Sequence, residues 1–498
     1  RERPISGCLE GTRENIFKDI DSWLSNNNSP NILWIKGFPG SGKSCVARSL
    51  VEKLADSPGF GSSFVFERDG GVFTAPSTML RTIASDLCRH PAFMDALVSD
   101  LEARRVDFST TSVQNQFIRL VEKPLQGLAD QLSEGTPKLV VVVDALDECG
   151  GLGKARFQDR QDVVLAIARW STLSPLLKLV VTSRDETPIS EVLAPISTSL
   201  ELRLNSRQAA RDIEVFLKLE FQRIARTHSL ADSWPTQDEI RAIAKKARGL
   251  WVWAATLVKF VDQPRPQDIL QEILTGNMNV EGDITDLYIL ILKFSFCSDP
   301  GRSMNARFLD EFNSFVGGIV TAVRPLEKDC PLFDILGVDT ATPKFICKRL
   351  QSVMAESRKQ LRFSHQSFVD FLISDLCPLQ FRINSNVIGQ KISLAILRVL
   401  NDHLSFDPSR FRTSYESNPN TPNMDRISRE VSYACRLWGD SLGGATTGDR
   451  NILGSLKAFL EKKLLFWLEF LSLTSEMACA ISQLQGAKHW IGVSFISC

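Results

Sequence analysis

The stretch "GFPGSGKS", from Gly37 to Ser44, decides the fold. It fits the pattern G-x-x-x-x-G-K-[ST] in full. The apolar run "NILWIKG" before it is typical of a buried strand, and the segment from Ser44 to about Leu54 has helical spacing. A glycine-rich turn that matches by chance is the alternative. However, a preceding strand and a following helix are the context that a phosphate-binding loop, or P-loop, requires. The sequence therefore predicts a P-loop.

The residue types in this loop suit the binding of a nucleoside triphosphate. Glycines let the main chain curl until its N–H groups point at phosphate oxygens, and the helix N-terminus adds a partial positive charge. We expect Lys43 to reach the β- and γ-phosphates and the hydroxyl of Ser44 to ligate Mg²⁺. For Cys45, which follows Ser44, a small packed side chain is the alternative interpretation. The predicted nucleotide-binding residues of the loop are Gly37, Phe38, Pro39, Gly40, Ser41, Gly42, Lys43, Ser44 and Cys45.

A second apolar run, "LVVVVDALDE", ends in three acidic residues. Asp144 falls at the carboxyl end of the predicted strand, where ligands bind in parallel sheets, and suits a direct or indirect hold on Mg²⁺. Asp147 and Glu148 follow within one turn, and either could orient and activate an attacking water molecule. We favour Glu148, with Asp147 in support. An acidic loop after a core strand is the alternative, which the P-loop makes the weaker interpretation.

The order of the predicted strands adds a fourth candidate residue. The strand "SSFVFE" lies between the two motifs along the chain, and "LKLVVTSR" follows the acidic one. This order fits P-loop ATPases in which an additional strand separates the P-loop strand from the acidic strand and carries a polar sensor at its tip. Arg184 lies at that tip and could read the γ-phosphate, although a surface arginine at a strand end is the alternative. The predicted catalytic residues are thus Lys43, Asp147, Glu148 and Arg184.

Sequence motifs and bulk composition limit which ligands and which cellular location we expect. No [NT]KxD guanine-reading motif follows the fourth strand, which favours ATP over GTP. Lys plus Arg equals Asp plus Glu, 58 each, so bulk charge does not indicate a nucleic-acid binder. The eleven cysteines are scattered without zinc spacing, which is typical of reduced intracellular thiols. No apolar run approaches the length of a membrane span, and we expect a cytoplasmic protein.

Length and pattern predict several domains. A chain of 498 residues has room for about three, and its start at Arg1 leads us to expect a fragment of a longer protein. A fifth strand, "STSLELRL", completes a predicted α/β unit with a five-stranded parallel sheet. Residues 206–275 read as helical only, 285–375 as short helices with a brief strand near "QLRFS", and 385–498 as helical. Two polar loops, "SFDPSRFRTSYESNPNTPNMD" and "DSLGGATTGDRN", interrupt the last block.

Together these motifs resemble the NACHT branch of the signal-transducing (STAND, NLR-like) P-loop ATPases, of the fungal kind that often carries WD or other repeats downstream. The resembling stretches stay in order over nearly the whole chain: "CLEGTRENIFKDIDSWL", "ILWIKGFPGSGKS", "FVFERD", "VVVVDALDE", "LVVTSRDE", "ARGLWVWAAT", "DLYILIL", "RFSHQSFVDFL", "REVSYACRLW" and "LLFWLEFLSL". The resemblance implies five segments: a linker and helix over 1–29, a NACHT nucleotide-binding domain over 30–205, a helical lid over 206–280, a winged-helix domain over 285–380 and a helical domain over 385–498.

The resemblance also implies residues that the P-loop alone does not indicate. In this family the arginine of "GTRE", here Arg13, lies near the nucleotide. The stretch "ARGL" resembles the start of a lid motif that places a proline against the adenine, but here Trp251 stands at the proline position. A winged-helix histidine, followed five residues later by an aspartate, touches the β-phosphate of ADP in relatives. His365 and Asp370 have that spacing. A packed or surface histidine, with Asp370 capping or pairing locally, is the alternative.

The function that the resemblance implies is a nucleotide-controlled switch. It would bind ATP with Mg²⁺, hydrolyse it slowly, and couple the ADP or ATP state to domain opening and homo-oligomerisation, in fungal non-self recognition, innate immunity or programmed cell death. The effector, sensor and upstream signal would lie outside this chain. One alternative is an AAA-like ATPase whose winged helix binds DNA, which the balanced charge disfavours. Another is a nucleotide-stabilised interaction scaffold, against which the complete set of catalytic residue types argues.

Overall fold

A computed structural model of the chain contains two compact units, residues 1–287 and 288–498. It describes residues 7–67, 75–103, 112–130, 136–150, 155–204, 206–275, 284–297, 305–322, 326–355, 360–405 and 427–496. In these ranges no helix is long and apolar enough to cross a membrane.

The first unit is built on a five-stranded parallel sheet, as predicted. Its strands are β1 (Ile32–Lys36), β2 (Phe60–Val65), β3 (Leu139–Asp144), β4 (Leu177–Ser183) and β5 (Ser197–Glu201). The order across the sheet is β2-β3-β4-β1-β5. Strand β4 therefore separates the P-loop strand β1 from the acidic strand β3, which confirms the predicted insertion.

The central strands β1, β3 and β4 are covered on both faces, and they are largely apolar for that reason. Every residue of β3 and β4 is buried. Alternate residues enter two separate hydrophobic clusters: Trp34 and Val141 pack into one, whereas Leu33 and Val142 pack into the other. The burial of both faces leaves only the strand ends open to solvent, so polar groups at the carboxyl ends of β1, β3 and β4 meet at one edge.

Helices of the first unit surround this sheet and then continue as a purely helical block. Their bounds are α1 (Glu14–Ser25), α2 (Lys43–Leu54), α3 (Pro76–Leu87), α4 (Pro91–Ala103), α5 (Val113–Phe117), α6 (Lys123–Ala129), α7 (Ala155–Ala168), α8 (Thr187–Leu193), α9 (Arg207–Thr227), α10 (Gln237–Ala247), α11 (Trp251–Val261) and α12 (Pro266–Thr275). Helices α9 to α12 form what we call the lid block, where the sequence predicted helices only.

The spacing of apolar residues predicts two helical stretches between β2 and β3, at about 77–102 and 113–133, and the structure interrupts each of them. The first divides into α3 and α4 at Pro91, which begins α4 because proline suits a first helical turn. The second divides into α5, a π-helical turn at Ile118–Glu122, and α6. Residues 131–133 of that prediction and residues 276–280 of the predicted lid lie outside the described residues.

The second unit is helical with one short antiparallel ribbon. Its elements are α13 (Ile284–Phe296), in which the division between the units falls, α14 (Ala306–Thr321), β6 (Leu326–Glu327), α15 (Pro331–Ile335), α16 (Ala341–Arg349), β7 (Gln360–Leu361), α17 (Gln366–Ile373), α18 (Ser385–His403), α19 (Arg429–Leu442), α20 (Arg450–Lys462), α21 (Leu464–Leu473) and α22 (Ala478–Ile496). The winged-helix assignment of 285–380 stays a prediction, and 406–425 of the predicted polar loop lie outside the described residues.

Candidate nucleotide site

The P-loop joins β1 to α2 through two residues in the left-handed region. Gly40 has φ +75° and Gly42 has φ +93°, and helix α2 begins at the next residue, Lys43. The turn closes with the N–H of Ser41 donating to the carbonyl of Phe38 over 3.1 Å. No side chain caps the N-terminus of α2, so its first main-chain N–H groups keep their capacity for an anionic ligand.

The ammonium of Lys43 lies over this loop. Its Nζ donates to the carbonyl of Gly37 over 2.8 Å and to that of Phe38 over 3.0 Å. Burial lowers the pKa of Lys43 from its ordinary value, and the nearby carboxylate of Asp147 opposes that shift. The lysine is therefore held in the curl of the loop, near the acidic side chains at the end of β3 and in the turn that follows it.

Three polar side chains meet where β3 and β4 end beside α2. The hydroxyl of Thr182 donates to Asp144 Oδ1, and the N–H of Ala145 donates to Thr182 Oγ1 over 2.9 Å. Asp144 also accepts a hydrogen bond from the hydroxyl of Ser44. Burial raises the pKa of Asp144 above its ordinary value, and these hydrogen bonds oppose it. The sequence did not single out Thr182, although a threonine near the end of the apolar run "LKLVVTS" is a signal.

Asp147 and Arg184 form an ion pair at the same edge of the sheet. The main-chain N–H of Arg184 donates to Asp147 Oδ1 over 3.0 Å, and its Nε lies 3.1 Å from Oδ2. Asp147 is buried. Ala145, with φ +57°, turns the chain into a short 3₁₀ turn that carries Asp147 and Glu148. The four predicted catalytic residues thus lie on adjoining elements, and two of them contact each other directly.

Arg13 reaches the P-loop from the segment before α1. Its Nη2 donates to the carbonyl of Ser41 over 2.5 Å, and its main-chain N–H donates to Asp212 Oδ2 over 3.1 Å. Arg13 is buried, with φ +60°. Burial lowers its pKa from the ordinary value, and Asp212 on α9 opposes that shift. A single residue therefore links the P-loop and the lid block, through its side chain and its main chain respectively, and sequence reasoning missed Asp212.

The start of α11 lies directly on the P-loop. Arg248 and Gly249 both have positive φ, and a Cβ on Gly249 would fall 1.8 Å from the carbonyl oxygen of Leu204, so only glycine fits there. This turn brings the N–H of Val252 to the carbonyl of Gly40, 3.1 Å away. The tight packing of the "ARGLW" stretch thus has a structural reason, which is to direct α11 onto the loop.

Trp251, at the position where relatives are expected to have proline, packs beside the same loop. The guanidinium carbon of Arg13 lies 5.3 Å from its ring centroid, and the ring of Phe216 lies 5.6 Å away. A Cβ on Gly42 would come within 3.7 Å of its Cδ1. The indole therefore lies beside the N-terminus of α2.

His365, the remaining predicted site residue, lies in the second unit. It is the N-cap of α17, where its Nδ1 accepts the N–H of Ser367 over 3.1 Å and lies 2.7 Å from Ser367 Oγ. Because Nδ1 accepts a main-chain N–H, the neutral ring carries its proton on Nε2. Asp370 Oδ1 accepts from Gln366 Nε2 over 3.1 Å. The structure thus gives His365 a local capping contact.

The residues around the P-loop fit a nucleotide with its magnesium ion. Ser41 Oγ is buried and has no hydrogen-bond partner among the described residues. Ser44 and Asp144 supply a hydroxyl and a carboxylate, the oxygen ligands that Mg²⁺ takes together with phosphate oxygens. No group of three or more His, Cys, Asp and Glu suited to a metal occurs in the ranges described. Burial raises the pKa of Cys45 to about 12, so its thiol stays neutral.

Comparison with known proteins agrees with this geometry. Residues 11–184 match the family model described as nephrocystin 3, N-terminal. The chain is 23% identical, over 539 aligned residues, to the vegetative incompatibility protein HET-E-1 of Podospora anserina; the alignment covers 97% of this chain and 37% of that protein. The chain thus spans little more than a third of the length of this curated relative.

Two solved archaeal structures are similar over most of this chain. One is a signal transduction ATPase with numerous domains and a tetratricopeptide repeat sensor from Pyrococcus horikoshii, with a TM-score of 0.41, 12% identity and coverage of 98% of this chain and 65% of that one. The other is a Walker-type ATPase of Pyrococcus abyssi, with a TM-score of 0.36, 14% identity and coverage of 74% and 98%. With its P-loop and its inserted strand, the chain has the fold of a P-loop NTPase, and in sequence it is similar to the nephrocystin 3 N-terminal family model and to a fungal vegetative incompatibility protein.

Proposed function

We propose that this protein is an ATP-binding, slowly hydrolysing switch whose ADP or ATP state controls domain opening and oligomerisation. The observation that carries the proposal is a direct contact between the lid block and the P-loop. It is the hydrogen bond from the N–H of Val252 to the carbonyl of Gly40, which we call the seat of α11. A ligand that alters the P-loop alters the surface on which α11 rests. Because a ligand shifts an equilibrium only through contacts that differ between the two states, this seat supplies the required difference.

Each polar group of the site has a role in this proposal. The main-chain N–H groups of Gly42 and Lys43, with the Lys43 ammonium, bind the phosphates. Ser44 and Asp144 hold the magnesium ion, which neutralises charge on the phosphate oxygens when bound. Glu148 orients the attacking water and accepts its proton. Arg13 fixes the loop from the side of the lid block.

Slow hydrolysis is consistent with the pairing of Arg184 and Asp147. Both carboxylate oxygens of Asp147 contact Arg184, one through the main-chain N–H and one through the guanidinium. An arginine engaged in this way must leave its partner before it stabilises charge on a γ-phosphate. That rearrangement adds a barrier before each turnover, which suits a switch better than a motor.

The biological setting is proposed from the relative named above. HET-E-1 is by name a vegetative incompatibility protein, and this chain aligns with 37% of its length. We therefore propose a role in fungal non-self recognition or the cell death that follows it. In that setting a partner segment outside this chain would supply the signal, and His365 would hold the ADP-bound form.

The experiment is to identify the nucleotide that copurifies and to measure the oligomeric state with each nucleotide. The protein is incubated with ADP or with a non-hydrolysable ATP analogue, and its mass is measured by light scattering after gel filtration. We expect copurified ADP, a monomer with ADP and a larger species with the analogue. Lys43→Ala should lose the nucleotide and the difference in mass.

Three outcomes contradict the proposal. An identical mass with ADP and with the ATP analogue would contradict control of the oligomeric state by the nucleotide. Turnover near 10 s⁻¹, the median for enzymes, would indicate a motor. Binding to duplex DNA that weakens as salt is raised would favour the DNA-binding alternative.

A further inference from the structure

Trp251, the first residue of α11, makes a cation–π contact and an aromatic contact through its ring. The Arg13 guanidinium lies over its ring at 5.3 Å, and Phe216 of α9 packs at 5.6 Å with the two ring planes at 56°. The same guanidinium donates to the Ser41 carbonyl of the P-loop. One arginine thus connects the P-loop to the indole, and the indole packs against α9.

The indole N–H makes this arrangement incomplete. Nε1 of Trp251 is buried, and no acceptor lies within hydrogen-bond distance of it among the described residues. A buried donor without a partner carries a desolvation penalty that a paired or solvated donor does not. The stacking contacts favour the seated position of Trp251, whereas the unpaired N–H opposes it.

Two opposing contributions to the free energy act on the Trp251 side chain, so it can have two positions of similar free energy. Seated, Trp251 gains cation–π and ring contacts; displaced, its N–H gains water or an acceptor. The next residue along, Val252, carries the N–H that bonds Gly40, so movement of Trp251 moves the seat of α11 on the P-loop.

We propose that Trp251 is the gating residue of the nucleotide site, which retains the nucleotide while it is stacked on Arg13 and allows exchange when it is displaced. This proposal rests on the proposed function, because it names the residue that regulates the same site. It makes Trp251 a positioning residue, since it acts through Arg13 and the seat of α11.

The test uses two substitutions with opposite expected effects. Trp251→Phe keeps a ring between Arg13 and Phe216 and removes the unpaired N–H, whereas Trp251→Ala removes the ring. The full chain is loaded with N-methylanthraniloyl-ADP, and release is followed by fluorescence after addition of excess ADP. We expect release about tenfold faster with Trp251→Ala, the scale of a desolvated cation–π contact plus ring stacking. Trp251→Phe should release no faster than the unsubstituted protein.

A matched control is available in the second unit. Trp438 also buries an indole N–H without a partner among the described residues, in a cluster with Phe459 and Trp467. Trp438→Phe makes the same chemical change in the second unit and should leave the release rate unchanged. Arg13→Lys keeps the charge but loses the planar stack, and combining it with Trp251→Ala should add little to the effect of Trp251→Ala alone.

A second measurement uses the nucleotide-free protein. Hydrogen exchange of peptides that cover residues 250–256 reports the bond from Val252 to Gly40. Exchange should be faster with Trp251→Ala and unchanged or slower with Trp251→Phe. The gating proposal is overturned if Trp251→Ala changes neither measurement, or if Trp251→Phe behaves like Trp251→Ala. Failure of the unsubstituted protein to bind the labelled ADP would instead overturn the proposed function, while the exchange measurement would still decide the role of Trp251.

Discussion

The main-chain N–H of Val252 donates to the carbonyl of Gly40 over 3.1 Å, and a Cβ placed on Gly40 would fall 2.2 Å from Val252 Cγ1. The glycine is therefore needed for two reasons at once. Its φ of +75° shapes the P-loop, and its lack of a side chain admits the lid block. These residues lie more than 200 positions apart, yet each restricts what the other position accepts.

Replacement of Gly40 by alanine should lift α11 off the P-loop. The new Cβ meets both Cγ1 and Cβ of Val252, at 2.2 and 2.7 Å, and alanine is also strained at positive φ by roughly 1–2 kcal/mol. We expect faster hydrogen exchange at the start of α11 and nucleotide binding weakened at least about tenfold. Val252→Gly on top of Gly40→Ala removes both contacting carbons and should restore part of the binding. If the double substitution is no better than Gly40→Ala, the lid contact is not what the alanine disrupts.

Replacement of Asp144 by asparagine should separate stability from magnesium binding. Burial raises the pKa of Asp144, so the folded state disfavours its charge, and the stability contribution of the carboxyl is present at low pH and lost as pH rises through the folded-state pKa. In the absence of nucleotide, the Asp144→Asn variant should therefore have a melting temperature at pH 7.5 that equals or exceeds that of the unsubstituted protein. The difference should shrink as the pH falls toward 4. The gain in nucleotide affinity on adding Mg²⁺ should disappear. A gain that persists would place the magnesium ligand elsewhere.

His365 has a capping contact that must be separated from any contact with nucleotide. Asparagine is a good N-cap and alanine is not, so His365→Asn should keep the thermal stability whereas His365→Ala should lose about 1 kcal/mol. If the imidazole also holds ADP, both substitutions should speed ADP release. If His365→Ala releases ADP faster but His365→Asn does not, His365 acts as a helix cap and not as a contact to the nucleotide.

Lys178 should make the stability of the first unit depend on alkaline pH. It is buried at the start of β4, where its Nζ donates to the Ser29 carbonyl over 3.0 Å and lies 5.2 Å from the ring of Trp23. Burial lowers its pKa to about 8 from 10.5. Between these values the unfolded chain binds a proton that the folded chain does not, so the free energy of unfolding rises with pH.

The measurement compares the unsubstituted protein with Lys178→Met in urea at several pH values. The difference in unfolding free energy should be constant below pH 7 and should then shift in favour of the lysine. The slope should not exceed about 1.4 kcal/mol per pH unit up to pH 10. A difference that stays flat across this range would show that Lys178 is not the group that titrates.

Local sequence patterns predicted the sheet and the P-loop of the candidate site. The strand "LVVVVD" is apolar because both of its faces are covered, and two glycines of "GFPGSGKS", Gly40 and Gly42, stand where the main chain takes positive φ. Each signal is contained in a segment of a few residues, so it can be read without knowledge of the fold. The sequence also predicted that another strand separates the P-loop strand from the acidic strand, as β4 does, but it did not predict the full order β2-β3-β4-β1-β5.

The missed contacts join residues that are distant along the chain. Arg13 and Asp212 are 199 positions apart, and Thr182 reaches Asp144 across neighbouring strands. Asp212 lies on an amphipathic helix where an aspartate usually faces solvent, so nothing local distinguishes it from its neighbours. Its burial against Arg13 depends on how α9 packs.

By itself, the sequence determined that this protein has a parallel sheet with a P-loop, because glycine conformation and strand burial are properties of short segments. The tertiary structure decided what touches that loop. It seats Val252 on Gly40, stacks Trp251 on Arg13 and pairs Arg184 with Asp147. The first two contacts arise because α11 of the lid block packs on the P-loop, and the third because β3 and β4 are neighbours in the sheet. The free energy of such packing depends on all the surfaces that meet there.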